Sequence, residues 1–392
     1  MNRSTSWSDW RRQLILLAAS LFILGACTGG ATEAPDTQAP VEETEPLVEE
    51  TEPVVDEGPG EPILILEWSG YEVTGYPYLF PAFAEKYTPT LEAVVEYSFF
   101  AEDSEALAKM MTGFEADLIH PCESTFETYV ENGLVQPVDT ARLEHWDSIH
   151  PALAAIGKVD GQQYFVPWDW GYESILVRPD LVEEVPDSWA DLWDPQYAGK
   201  VVLWDSGQAN YAITALALGI TDPWGSLNAE TVEMVKQKLL ELKPNLLTYW
   251  TDYTQAYDLS ATGDAWLTAN AWQDAYGNLV NLEIPAEYIE PVEGRLGWVC
   301  GYGISTNAKN LDLVYEFLNA ATAPESSAAL GNYYWYGGAN TDSVPLVDEY
   351  VVDFMKLTEI DSLFARTIFY QPISEEERQM LNQMWDEVKA AP

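Results

Sequence analysis

Ile63-Leu-Ile-Leu-Glu67 is a run of four aliphatic residues closed by an acid and followed by the turn Ser69-Gly70. A short apolar run of this kind, ended by a turn, reads as a strand buried on both faces. Toward the C-terminus, residues 91–98 read as a second strand and residues 104–113 as a helix opened by a Ser104 cap. Residues 117–120 are a short third strand, and another helix starts near Ser124 and stops at Asn132-Gly133. Strand and helix therefore alternate as β-α-β-α-β-α, which predicts an α/β fold with a mainly parallel sheet.

The alternation resumes in a second unit. Residues 164–167 and 175–178 read as strands, and residues 200–204 form a strand leading into a helix over 209–219. Residues 231–242 are amphipathic and helical; 265–268 are strand-like and run into a helix from about 271 to 280. A strand returns over 296–305, and helices cover 311–323 and 374–389. Two α/β lobes joined by more than one crossing place a cleft at the strand C-terminal ends, where open α/β sheets bind ligands.

Upstream of Ile63 the chain changes character twice. Arg3, Arg11 and Arg12 precede an apolar stretch over residues 14–23, a charged and then apolar leader too short to span a bilayer comfortably. Leu24-Gly25-Ala26-Cys27 follows and resembles the bacterial lipobox, in which the cysteine thiol receives a diacylglycerol. Residues 1–27 are thus expected to be a lipoprotein signal peptide, with Cys27 the only anchor. Residues 28–61 carry eleven acids among Pro and Thr and no basic residue, a composition that predicts an extended tether.

The 392-residue chain has a formal net charge of −46, most of it beyond that tether. Such a surface repels nucleic acid and anionic headgroups. The 16 Trp and 22 Tyr are in excess, and several fall where loops are expected. No nucleophile elbow, zinc-protease motif or phosphate loop is present.

An ordered series of short pieces spans nearly all of residues 63–392. It runs Trp68-Ser69-Gly70-Tyr71, Ala116-Asp-Leu-Ile-His-Pro121, Asn132-Gly-Leu-Val-Gln-Pro137 and Val166-Pro-Trp-Asp-Trp-Gly171. It continues with Ser188-Trp-Ala-Asp-Leu-Trp-Asp-Pro195, Tyr197-Ala-Gly-Lys200, Gly297-Trp298 and Ile304-Ser-Thr-Asn-Ala-Lys-Asn310. In this series the chain resembles the extracellular solute-binding proteins of ABC importers, in their spermidine/putrescine-binding branch. The resemblance implies a two-lobed periplasmic-binding-protein fold of type II, without cofactor or metal. Residues 62–167 and the return over 297–340 would form lobe 1 and residues 168–296 lobe 2, with C-terminal helices over 341–392 packing across both. It also implies a monomer that delivers its solute to permease subunits.

In that family a polyammonium chain lies between aromatic rings, and carboxylates meet its charged heads. The contacts implied here are Trp68, Tyr71, Glu123, Ser124, Asp169, Trp170, Asp205, Trp272, Asp274, Trp298, Tyr336 and Gln371. Four family acids are missing, however: Gly70, Ser206, Ala209 and Cys300 stand in their places, Asp205 being kept one position early. Glu123, Asp169, Glu173 and Asp274 are candidate replacements. The solute implied is a small cation, a polyamine, a short diamine or a methylated ammonium, and many rings with fewer acids favour a monocation, a short diamine or a methylated ammonium over a linear triamine.

Asp205 reads equally as a cap for the helix over 209–219, and Glu123 and Ser124 as caps for theirs. Cys122 and Cys300 fall at strand ends in the family layout, so a disulfide between them is implied as one alternative to two free thiols. A sugar receptor of the same fold, a ferric-ion binder using Tyr333-Tyr334 and a surface glycoside hydrolase are the rival readings.

Overall fold

The computed structural model describes residues 60–392; Cys27, the leader and the acidic segment up to residue 59 lie outside the described residues. The first strand, β1 (Ile63–Trp68), pairs in parallel with β2 (Val95–Phe100) on one side and β3 (Leu118–Ile119) on the other. The helix α1 (Asp103–Met111) connects β2 to β3, as the alternation required.

The second strand starts later than expected, because residues 91–93 form a single tight turn after Pro89. A larger correction concerns residues 164–178. These are not two short strands but one, β4 (Phe165–Val177), thirteen residues long and buried at every position. Pro167, Asp169 and Gly171 look like breaks in the sequence. In the fold β4 is flanked on both sides, and its internal acids find buried partners.

After β4 come β5 (Val201–Trp204), β6 (Leu246–Trp250), β7 (Leu267–Ala271) and β8 (Arg295–Ser305). The order across the sheet is β2-β1-β3-β8-β4-β7-β5-β6. Each end is parallel, β1 with β2 and β3, and β5 with β6 and β7. The two long strands between them run antiparallel, from Leu296 opposite Glu173 to Gly303 opposite Phe165, with an irregularity after Cys300. The chain thus builds two α/β lobes on strands β4 and β8 that run through both.

The cores follow this division. One apolar cluster gathers Ile63, Ile65, Phe80, Phe83 and Phe317 around the β1 end. Another gathers Ile175, Trp189, Val201, Tyr211 and Leu267 around the β5 end. The last helix, Glu375–Ala390, packs on the second of these through Leu381, Met384 and Trp385, against the helices Gly207–Ala217 and Ala229–Leu242. A third cluster between them contains Trp170, Val299, Trp335 and Met355. Among the described residues no helix is long and apolar enough to cross a membrane.

Candidate functional site

The site is laid out on the middle of β4. Successive residues of a strand point to opposite faces, so Asp169, Gly171 and Glu173 share one face. Gly171 lies opposite Trp298 of β8, and a methyl group added there would meet the Trp298 ring at 2.5 Å. The missing side chain is what lets the indole lie over the strand. Trp298 stands edge-on to Tyr336, with ring centroids 5.0 Å apart, and the Tyr336 hydroxyl serves the carboxyl of Asp274. Trp298, Tyr336 and Asp274 therefore form one connected wall. The indole Nε1 of Trp298 and Oδ1 of Asp274 are both buried without a hydrogen-bond partner among the described residues.

Glu123 reaches the same wall through Val299, the neighbour of Trp298. It is the first residue of α2 (Glu123–Glu131), whose cap is Cys122 rather than Ser124. Its Oε2 accepts the Val299 N–H at 2.7 Å, and its Oε1 is buried and unpartnered. Ser124 is half-buried on the same turn. The disulfide Cys122–Cys300 brackets this contact, since its two sulfurs belong to the residues next to Glu123 and Val299.

Glu173 occupies the far end of the strand face. It accepts the Tyr370 hydroxyl at 3.0 Å and the Asn270 amide at 3.2 Å, with further support from Trp272. Trp272 in turn stands edge-on to Trp204 and Trp250. Burial raises Glu173 to about 8 and Asp274 to about 7, and pushes Glu123 well above the usual carboxylate range. The three are only 1 %, 6 % and 8 % exposed. Among the described residues none of them is in an ion pair with a lysine, arginine or histidine of the chain.

Asp169 behaves differently. His120 lies between it and Glu67, with Nε2 3.1 Å from Asp169 Oδ1 and Nδ1 in a short contact with Glu67 Oε1. Burial alone would push the imidazole down. The two carboxylates outweigh that and raise it to about 10, so the ring is an imidazolium at neutral pH. Tyr71 donates to the other Asp169 oxygen at 3.0 Å and packs on the His120 and Trp168 rings. Tyr302 donates to Glu67 at 3.0 Å.

The remaining candidates separate. Trp68 donates its indole N–H to the His120 carbonyl at 2.9 Å and packs on Phe100. Trp170 is fully buried, donates to the Gly338 carbonyl and packs on Phe364, so it belongs to the central core. Asp205 is not the cap of the helix Gly207–Ala217; that is Ser206. Asp205 instead accepts the Trp385 indole at 2.6 Å and the Lys389 ammonium at 2.8 Å. Gln371 is exposed and lines a cavity of about 430 Å³ together with Glu123 and Tyr370. Of the rival tyrosines, Tyr333 stacks on Tyr78 and Tyr334 donates to the Gly70 carbonyl.

Sequence reasoning missed Glu67, His120, Asn270 and Tyr370. Only His120 left a signal, as a lone histidine ending an apolar strand; the others carry weight through long-range pairing alone.

The model of the bacterial extracellular solute-binding protein family matches residues 79–353. The spermidine/putrescine-binding periplasmic protein of Escherichia coli is 23% identical over 266 residues, covering 67% of this chain and 75% of that one. Among solved structures, the spermidine/putrescine substrate-binding protein PotD of Streptococcus pneumoniae superposes with a TM-score of 0.69 at 20% identity, covering 84% of this chain and 98% of that one. The TpPotD lipoprotein of Treponema pallidum gives 0.70 at 18% identity, covering 84% and 99%. These structures share the two-lobed fold described above. Since the family model matches more than half of its length, the chain belongs to the bacterial extracellular solute-binding proteins.

Proposed function

We propose that this chain is the solute-binding subunit of an ABC importer and captures a small organic cation between its lobes. One observation carries the cargo reading: Glu123, Glu173 and Asp274 are buried carboxylates that, among the described residues, have no ion pair with a cationic side chain. Burying an unpaired carboxylate costs several kcal/mol, so an isolated one takes up a proton or acquires a cation. A ligand ammonium supplies the cation, and the rings of Trp298, Tyr336 and Trp272 favour it by about 0.5–2 kcal/mol each. The relatives named for spermidine and putrescine support the same class.

Asp169 is left out of the cation set, because His120 and the Tyr71 hydroxyl already take its two oxygens. The cargo is accordingly a polyamine, a short diamine or a methylated ammonium, met by acids in positions of this chain's own. The protein acts as a solution monomer on a leash: a lipid on Cys27 and the acidic segment to residue 61 hold it beside its permease. Lobe 1 takes residues 62–167 and 297–340, and lobe 2 residues 168–296.

A thermal melt of the purified protein against polyamines, diamines, choline-like amines and sugars tests this reading. At least one amine raises the melting temperature, following the linkage of binding to stability. A rise with a sugar and with no amine replaces the cation by a carbohydrate.

A further inference from the structure

The cavity of about 430 Å³ does not look like a slot for a linear polycation. Its walls are Phe126, Leu153, Ile156, Val159, Phe364 and Phe369. They come from α2, the short helix Pro151–Ile156 with the residues after it, and the C-terminal segment, none of them among the aromatic wall of Trp298 and Tyr336. The Tyr370 ring and Glu123 also line the cavity, and Glu123 Oε1 is buried with no hydrogen-bond partner among the described residues. The other charged side chains of the lining, Glu127 and Lys158, are exposed and of opposite sign. Apolar side chains thus make up the larger part of the lining, and Glu123 is its one buried carboxylate.

The geometry points to an annex for the hydrophobic tail of an amine: the ammonium sits on Glu123 and an alkyl or aryl group fills the cavity toward Ile156 and Phe364. This rests on the reading of the cargo as a small organic cation and replaces the polyamine and diamine choices by amphiphilic monoamines. A volume of 430 Å³ is that of about fourteen waters at ~30 Å³ each, and falls within the usual range for small-molecule sites. A second ammonium at the tail end would lose its hydration among apolar side chains, with the exposed Glu127 and Lys158 offsetting one another. A tail instead expels water from apolar surface, which strengthens binding with each carbon added.

Isothermal titration of the purified full chain with n-alkylamines from ethylamine to octylamine, phenethylamine, putrescine and spermidine tests the inference. Affinity is expected to rise about fourfold per methylene, ~0.8 kcal/mol, until the annex is full, with hexylamine tighter than putrescine. Ala152→Trp places an indole in the annex from an exposed position; it should cut octylamine binding more than ethylamine binding. Ile156→Gln, which keeps the volume and makes the wall polar, should reduce the slope of the series. A flat series, or putrescine binding tighter than hexylamine, overturns the annex and leaves the cation reading standing. No binding of any amine overturns both.

Discussion

His120 holds Asp169: the imidazole Nε2 lies 3.1 Å from the carboxylate while Nδ1 faces Glu67, and all three side chains are buried. The arrangement joins β1, the residue after β3, and β4 beneath the Tyr71 ring, so the floor of the cleft is fixed by an ion triad. Replacing His120 by Asn leaves two buried carboxylates without their cation. Breaking a buried pair in this way costs about 3–5 kcal/mol, read as a fall in the urea midpoint.

The same triad sets a pH dependence. The folded His120 titrates at about 10, above its ordinary value near 6.5. Its stabilisation is therefore complete below about pH 6.5 and lost as pH rises through about 10. Unliganded protein should lose stability between pH 7 and 10, and His120→Asn should lose less over that interval. Chemical denaturation at pH 7, 8.5 and 10 checks the sign.

Gly171 and Trp298 make a structural prediction. Gly171→Ala puts a methyl group 2.5 Å from the indole and 2.7 Å from Gln273 Oε1, costing about 1–3 kcal/mol through overpacking and displacing the ring from the site. Trp298→Ala should weaken amine binding by about 2–30-fold, the worth of one cation–π contact, with a modest change in stability. Trp189→Ala should do the reverse. Trp189 is fully buried and donates to the Gly294 carbonyl, so its loss removes core packing worth about 3–5 kcal/mol.

The lobes were legible in the sequence because strand and helix alternate and each strand is bounded by polar turns. The short strands and most helices fall within a few residues of expectation. The crossing strand β4 was not legible as one element. Its buried polar positions, Asp169 and Glu173, break the apolar run, and only distant partners, His120 for one and Tyr370 with Asn270 for the other, make them tolerable inside. The site divided in the same way. Glu123, Trp298, Tyr336 and Asp274 are brought together in the fold. Asp205, taken as a ligand acid or a cap, is held by Lys389 at the far end of the chain, a pairing across 184 positions that no local pattern announces.

The disulfide Cys122–Cys300 links residues 178 apart in sequence and staples α2 to β8 beside the Glu123–Val299 hydrogen bond. Cys122→Ser with Cys300→Ser should lower stability by about 2–5 kcal/mol and weaken amine binding as well, because Glu123 loses its clamp. Melting and titration of the double variant, against wild type with and without reductant, check both effects.

The central claim is that buried carboxylates select a cation, and it is tested most directly by calorimetric titration of amines at pH 5.5 and pH 8. Asp274 and Glu173 titrate at about 7 and about 8, raised by burial, so at pH 5.5 they are protonated and must release protons to accept an ammonium. Affinity should therefore rise from pH 5.5 to pH 8, with proton release measured from the buffer dependence of the heat at the lower pH. Asp274→Asn should raise the melting temperature of the unliganded protein at pH 8, since an unmet buried charge is removed, and Glu123→Gln and Asp274→Asn should each weaken amine binding about tenfold or more. Amine affinity that falls with rising pH, or is unchanged in both carboxamide variants, would contradict the account.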